Sequence, residues 1–200
     1  MKFYLCGSAK HLGIKSCKYA SKKFPDGEIY VKLLENVKDK NVCVISSLKS
    51  SDDILETIFL VDALRRGMAK IKLLFTYLGY ARQDKIFENG ECLSFRAISK
   101  ILKFPGVVVS VIDSHNFSNN KKYLNFEDYC CLKILKDKFS KMKNPVVVAP
   151  DKGSVESAKN FAKSLKCKYV ELDKRRLGSE VYLIIRDVKE INGKNAIIVD

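Results

Sequence analysis

Two hundred residues with 46% hydrophobic content suffice for one sizeable core or two small α/β domains, and this content excludes a disordered chain. The formal net charge of +14 comes from lysines spread over nearly every loop and helix, which favours a solvated basic surface over a nucleic-acid groove. No apolar run reaches the roughly 18 residues of a membrane span, and the seven cysteines lack zinc-type spacing, so we expect a cytoplasmic protein with reduced thiols.

Short apolar runs of strand length alternate with helical patterns along the chain. The predicted strands are residues 2–6, 28–33, 41–46, 71–77, 107–112, 145–149, 168–172 and 196–199. The clearest helix starts at Ser51, which is a good N-cap, carries Asp52 and Asp53 in its first turn, and ends near Gly67. Strands that alternate with helices pair in parallel through right-handed crossovers, so we predict an α/β fold with mainly parallel sheets.

A polar segment at residues 136–144 separates two regions of this pattern. It contains four lysines and no apolar run, as a connection between two units would. We therefore predict a first domain over residues 1–140 and the start of a second over residues 141–200. The strand predicted at 196–199 has the composition of a buried central strand, which would normally lead into a further loop and helix. We expect the second domain to be incomplete.

The segment from Phe24 to Glu28 predicts a turn before a strand, because Pro25, Asp26 and Gly27 are all turn formers. The turn does not explain an aromatic ring close to two carboxylates. Such a set can stack on adenine and accept hydrogen bonds from its amino group. Phe24, Asp26 and Glu28 are therefore candidates for a nucleotide site.

Two further segments follow predicted strands directly. Arg82 and Gln83 come after the strand at 71–77, and His115 comes after the strand at 107–112. Substrates of open α/β sheets bind at the carboxyl ends of strands, where arginine suits phosphate oxygens and histidine suits a ligand or a proton. The alternatives are an exposed charged loop at Arg82 and a hydrogen-bonded structural histidine at His115.

A tight turn after the strand at 145–149 leads into a predicted helix. The turn consists of Asp151, Lys152, Gly153 and Ser154. Backbone amides and the helix dipole make such a turn an anion site, and the Asp151 carboxylate would suit magnesium or a sugar hydroxyl. After the next strand, a basic run containing Lys174 and Arg176 could bind a polyphosphate.

In this order and spacing the segments resemble the ribose-phosphate pyrophosphokinases. The strings that carry the resemblance are FPDGEIYVKLLENV, DALRRG, YLGYARQDK, VVVAPDKGSVESAK and LDKRR, which are collinear over about 150 residues. The resemblance implies two phosphoribosyltransferase-like α/β domains per subunit, of which the second is incomplete in this chain. The family continues after Asp200 into a further acidic residue and a loop for the sugar phosphate.

The resemblance also implies a role for each segment. The implied residues are Phe24, Asp26, Glu28, Arg82 and Gln83 for ATP; His115 and Asp151 for Mg²⁺; Asp151, Lys152, Gly153, Ser154 and Asp200 for pyrophosphate and ribose; and Lys174 and Arg176 for catalysis. In the family the loop at Phe24 reaches the active site of a neighbouring subunit. Ile86 and Phe87 depart from the more charged family pattern, so nucleotide contacts of that loop can differ here.

The implied reaction transfers the β,γ-diphosphoryl group of ATP to the anomeric hydroxyl of ribose 5-phosphate and releases AMP. We expect a magnesium-dependent homo-oligomer with ATP sites shared between subunits, and neither a nucleic-acid nor a membrane partner. The alternative is a non-catalytic subunit, regulatory or split from its partner, that lacks the ribose-phosphate loop.

Overall fold

The fold is given by a computed structural model that describes residues 1–177, 180–184 and 188–200, with side chains described outside residues 173–188. The chain divides into two units, Met1–Tyr129 and Cys130–Asp200. This division falls earlier than the boundary predicted after residue 140. The reason is a helix at Cys131–Phe139, part of which had been interpreted as a connection and which packs into the core of the second unit.

The first unit contains most of the regular structure. Its elements in chain order are β1 (Lys2–Leu5), a 3-10 helix (Gly7–Leu12), β2 (Tyr19–Lys23), β3 (Ile29–Leu33), β4 (Asn41–Ser47), α1 (Ser51–Arg66), β5 (Lys70–Tyr77), α2 (Ser94–Ile101), β6 (Val108–Ile112), α3 (Phe117–Asn120) and β7 (Glu127–Tyr129).

Five strands of the first unit form one sheet in the order β1-β4-β5-β6-β7, and every neighbouring pair is parallel. β4 is buried on both faces, as at Cys43 and Val44, whereas β5 alternates buried residues such as Leu73 with exposed ones such as Lys72. The continuous apolar run of β4 is what a parallel strand covered on both faces requires. Because all five strands run the same way, the loops that follow β4, β5 and β6 emerge at the same edge of the sheet.

An antiparallel hairpin of β2 and β3 packs against α1 instead of joining the sheet. The Tyr19 hydroxyl donates to Glu56 Oε1 at 2.9 Å, and Lys23 pairs with Asp52 at 2.7 Å. β2 therefore runs along α1 toward the N-terminal end of that helix. Since α1 begins just after β4, the turn of the hairpin lies toward the carboxyl edge of the sheet.

Helix α1 is capped one residue earlier than predicted. The Ser50 hydroxyl accepts from the Asp53 amide at 3.2 Å, and the Asp53 carboxylate accepts from the Ser50 amide at 2.8 Å, which is a complete capping box. The predicted end near Gly67 is confirmed. A Cβ at Gly67 would lie 2.5 Å from a methyl carbon of Val37, so glycine allows the segment before β4 to cross close to the end of α1.

The second unit has a smaller parallel sheet. Its elements in chain order are α4 (Cys131–Phe139), β8 (Pro145–Ala149), α5 (Val155–Leu165), β9 (Lys168–Glu171), β10 (Asp173–Leu177), β11 (Glu180–Ile184), α6 (Val188–Ile191) and β12 (Asn195–Ile198).

Three strands, in the order β12-β8-β9, are parallel, and β10 pairs with β11 as an antiparallel hairpin. Val147, Ala149 and Ile197 pack with Phe161 of α5, and the rings of Phe139 and Phe161 meet edge to face at 6.1 Å. The α/β fold with mainly parallel sheets is thus confirmed, and all eight predicted strands are present within one residue at each end. No helix in the described part of the chain has the length and apolar character needed to cross a membrane.

Candidate functional site

The loop after β5 begins with a close backbone approach. A Cβ at Gly79 would lie 2.3 Å from the Leu48 carbonyl oxygen, so only glycine fits beside the loop that follows β4. The next residue, Tyr80, has a positive φ of 62°, and its carbonyl accepts from the Gln83 amide at 2.9 Å. This turn leaves the side chains of Arg82 and Gln83 exposed at the carboxyl edge of the sheet.

Asp84 is buried although it lies between exposed neighbours. Its side chain is 5% exposed, and Oδ2 accepts from Asn116 Nδ2 at 2.6 Å and from Asn119 Nδ2 at 2.9 Å. Burial acts to raise the pKa of Asp84, but the hydrogen bonds from Asn119 and Asn116, with a smaller contribution from His115, hold it below its usual value. The carboxylate thus joins two loops through hydrogen bonds that favour its charged form.

The loop after β6 presents His115 to solvent. The Asp113 amide donates to the Tyr129 carbonyl at 3.1 Å, and the Ser114 amide donates to Asp128 Oδ1 at 2.9 Å, so β7 supports the start of this loop. The amide of Asn120 is buried and donates to the His115 carbonyl. His115 thus leaves a strand end with its backbone fixed on both sides and its imidazole exposed.

The segment from Phe24 to Glu28 is the turn between β2 and β3, as the local prediction had it. The Phe24 amide donates to the Glu28 carbonyl at 2.8 Å, and the Glu28 amide donates to Asp26 Oδ1 at 3.1 Å. Phe24 is 37% exposed and meets Tyr30 edge to face at 5.9 Å, with Lys22 Nζ 4.5 Å from the Phe24 ring centre. The turn therefore presents an aromatic face together with two exposed carboxylates.

In the second unit the turn at Asp151 stands between β8 and α5. Asp151 Oδ1 accepts from the amides of Gly153 at 2.9 Å and Ser154 at 3.2 Å. A Cβ at Gly153 would lie 3.2 Å from that same oxygen, so glycine suits this tight turn. The two amides predicted to bind pyrophosphate donate to the Asp151 carboxylate here, and an anion that uses them must replace that contact.

Asp200 follows β12 at the same edge as Asp151. The Val199 amide donates to the Val148 carbonyl at 3.0 Å, and this register carries Asp200 to the level of Pro150. Lys174 and Arg176 lie on β10, whose start adjoins β8 through the bond from the Leu172 amide to the Ala149 carbonyl at 2.9 Å. The side chains of Lys174 and Arg176 lie outside the described residues.

Mg²⁺ takes oxygen ligands and is usually bound by one or two carboxylates together with phosphate oxygens. The Asp151 carboxylate suits this chemistry. Next to His115, Ser114 Oγ and Asn120 Oδ1 are buried oxygens without a hydrogen-bond partner in the structure. Within the described residues, no group of three or more His, Cys, Asp or Glu side chains is placed to hold a metal. Asp151, taken by itself in the second unit, fits a magnesium ion that takes most of its ligands from a bound phosphate.

The structure adds three residues that the sequence patterns did not single out as site residues: Asp84, Asn116 and Asn119. Asp84 belongs to the string YLGYARQDK, which carries part of the family resemblance. Nothing in the local sequence distinguishes it from the exposed charged residues beside it. The asparagines stand in the polar run after His115, where turn chemistry explains them equally well. Only their contact across 32 and 35 residues of sequence reveals the arrangement.

Known proteins are similar to this chain over most of its length. Residues 8–106 match the family model described as the N-terminal domain of ribose phosphate pyrophosphokinase. Ribose-phosphate pyrophosphokinase 2 of Archaeoglobus fulgidus is 31% identical over 192 residues, which cover 96% of this chain and 68% of the relative. The ribose-phosphate pyrophosphokinase of Pyrococcus furiosus is 38% identical over 188 residues, which cover 90% of this chain and 65% of the relative.

The crystal structure of phosphoribosylpyrophosphate synthetase from Mycobacterium smegmatis has the same fold. The TM-score is 0.77 at 24% sequence identity, and the match covers 98% of this chain and 70% of that one. The chain thus spans about two thirds of the length of the relatives that it matches.

Proposed function

Because the chain belongs to the ribose-phosphate pyrophosphokinase family, we propose that it is a cytoplasmic enzyme that transfers the β,γ-diphosphoryl group of ATP to the anomeric hydroxyl of ribose 5-phosphate. The products are 5-phosphoribosyl 1-pyrophosphate and AMP. The observation that carries the proposal is the junction of two loops at the carboxyl edge of the first sheet, where the exposed Arg82, Gln83 and His115 are held by hydrogen bonds through Asp84 and Asn120.

In this proposal the first unit binds the nucleotide. The Arg82 guanidinium offers a planar set of donors to phosphate oxygens, and Gln83 adds an amide beside it. The Phe24 ring stacks on adenine, while Asp26 and Glu28 accept from its amino group. The exposure of all five side chains supports these roles, since each can reach a ligand without rearrangement of the core.

The second unit holds the acceptor side of the reaction. The turn at Asp151 to Ser154 receives pyrophosphate oxygens on its backbone amides, and Asp200 accepts from ribose hydroxyls. Lys174 and Arg176 meet the negative charge that develops on the transferred group, which is where positioned cations contribute most to phosphoryl transfer. Mg²⁺, which His115 and Asp151 help to hold, would neutralise the phosphate oxygens of ATP.

The proposal further includes a homo-oligomer in which the Phe24 turn of one subunit completes the nucleotide site of the next. Two features of the first unit support it. The turn is exposed, and an open groove of about 540 Å³ runs between β3 and α1, lined by apolar side chains such as Tyr30, Val31 and Phe59. A second copy of the chain that covers this groove would bury apolar surface, which favours association.

Steady-state release of AMP tests the reaction, with ATP, Mg²⁺ and ribose 5-phosphate supplied to the protein expressed from its natural reading frame. Arg82→Ala should raise the KM for ATP and lower turnover, because arginine contacts phosphate in both the ground and transition states. Arg65→Ala is the matched control, since Arg65 is equally exposed but lies in the last turn of α1. Magnesium-dependent ATP binding without any AMP release would support the non-catalytic alternative instead.

Mixed oligomers test the shared site. Phe24→Ala and Arg82→Ala each impair one half of a site that two subunits build together. When the two variants are mixed and allowed to exchange subunits, some sites receive both intact halves, and part of the activity should return. If the mixture shows only the average of the two separate activities, each subunit builds its own nucleotide site.

A further inference from the structure

The buried carboxylate of Asp84 is unusual in its choice of partners. None of the ion pairs between described side chains involves it, and its side-chain partners are two neutral amides, those of Asn116 and Asn119. Asn119 Nδ2 also donates to the Asp84 backbone carbonyl at 2.9 Å. A buried carboxylate is costly unless it is well hydrogen-bonded, so this arrangement favours one fixed geometry.

Arg82 and Gln83, the residues proposed to bind the nucleotide, lie in the sequence between two residues that contact the loop after β6. Asn120 Nδ2 donates to the Ala81 carbonyl at 3.0 Å, and Asn119 and Asn116 bind Asp84. The exposed Arg82 and Gln83 lie between these two fixed positions. The loop after β5 therefore has its ligand-bearing residues attached on both sides to the loop after β6.

The residues that bind Asp84 follow His115 closely in the sequence. Asn116 follows it directly and adopts a left-handed backbone conformation with φ 44°, which asparagine tolerates better than most residues. This backbone conformation belongs to the residue whose amide contacts Asp84. Loss of that hydrogen bond would therefore change the position of the backbone next to His115.

We propose that Asp84, Asn116 and Asn119, here called the Asp84 latch, are positioning residues that set the distance between Arg82 and His115 for nucleotide binding. The inference rests on the proposed function and adds to it three residues whose carboxylate and amide groups bind one another. Displacing a catalytic or binding group by about 1 Å can cost on the order of 100-fold in rate. Loosening the latch should therefore weaken use of ATP even where the unit remains folded.

The test compares kinetic constants in latch variants and controls. Asn119→Ala removes two of the contacts to Asp84. Asn116→Gly removes one, tolerates the left-handed backbone at that position, and serves as the milder variant if the first does not fold. We expect kcat/KM for ATP to fall roughly 10- to 100-fold in Asn119→Ala, with a smaller fall in Asn116→Gly. The KM for ribose 5-phosphate, which the second unit binds, should change less than about twofold.

Two further variants separate positioning from stability. Glu35→Gln breaks a hydrogen-bonded cluster around Lys2, at the start of β1 and hence at the opposite edge of the first sheet, and should lower stability without changing the KM for ATP. Asp84→Asn keeps the shape of the side chain and an oxygen that can still accept from Asn116 and Asn119. Its loss of ATP use should therefore be smaller than that of Asn119→Ala.

The outcomes distinguish the two proposals. If the wild-type protein turns over and the latch variants change only the folded fraction, with the KM for ATP unaltered, the Asp84 latch is purely structural and the inference is wrong. If the wild-type protein binds ATP without turnover, calorimetric affinities replace the kinetic constants, and equal affinities in all variants overturn the inference. A wild-type protein that neither binds nor turns over ATP refutes the proposed function, and with it a nucleotide role for the latch.

Discussion

Replacing Gly79 by alanine should destabilise the first unit through a backbone collision. The added Cβ would lie 2.3 Å from the Leu48 carbonyl oxygen and 3.3 Å from the Leu48 carbonyl carbon, whereas real Cβ contacts essentially never fall below 3.0 Å. Leu48 cannot retreat easily, because its own amide donates to the Tyr77 carbonyl at 2.9 Å. The loop after β5 must therefore move away from the loop after β4.

The magnitude follows from two opposing effects. Inserting an extra carbon into a packed site typically costs about 1–3 kcal/mol, and the rigidity of the backbone places this case toward the upper end. Alanine also lowers the conformational entropy of the unfolded chain, which stabilises the folded state by about 0.4–1 kcal/mol. We expect the free energy of unfolding to fall by about 2 kcal/mol.

Urea denaturation followed by far-ultraviolet circular dichroism measures this change, since the chain has no tryptophan for a fluorescence signal. Gly90→Ala is a useful control in the same loop. It has no atom within 4 Å of the added Cβ but has φ +91°, so its cost is conformational strain alone. An unchanged or higher stability of Gly79→Ala would refute the close approach of the two loops.

Two other predictions concern the first unit. Hydrogen bonds from Lys2 and Cys17 lower the pKa of Glu35 from 4.5 to about 2, so its stabilising effect is present above pH 4.5 and is lost as the pH falls toward 2. The stability difference between wild type and Glu35→Gln should therefore shrink over that range in acid titrations, and a constant difference would contradict the contact. Gly67→Ala should lower the melting temperature because the new Cβ meets Val37, and the same substitution should lower it much less when it is made in a Val37→Ala protein. An equal loss in both backgrounds would show that the added carbon meets something else.

Sequence patterns predicted eight strands and missed β2, β7, β10 and β11. β2 is mostly polar and contacts α1 through Tyr19 and Lys23, and β7 is a three-residue edge strand with no buried side chain. Neither β2 nor β7 has the apolar run by which a strand is recognised, since β2 lies outside the sheet and β7 at its edge. The segment around Lys136 was interpreted as a connection for a similar reason: the apolar residues of α4 are partly buried or exposed, so its charges resembled a connection.

The sequence by itself determined the α/β class, the family and the positions of Arg82, Gln83, His115 and Asp151 at strand ends. Apolar periodicity and turn chemistry are local properties, and a loop that follows a parallel strand must emerge at the carboxyl edge. Tertiary structure decided that Asp84 is buried and that Asn116 and Asn119 bind it. No local rule distinguishes a buried aspartate from the exposed charged residues beside it. A carboxylate that is removed from water needs hydrogen-bond donors, and here residues distant in the sequence supply them.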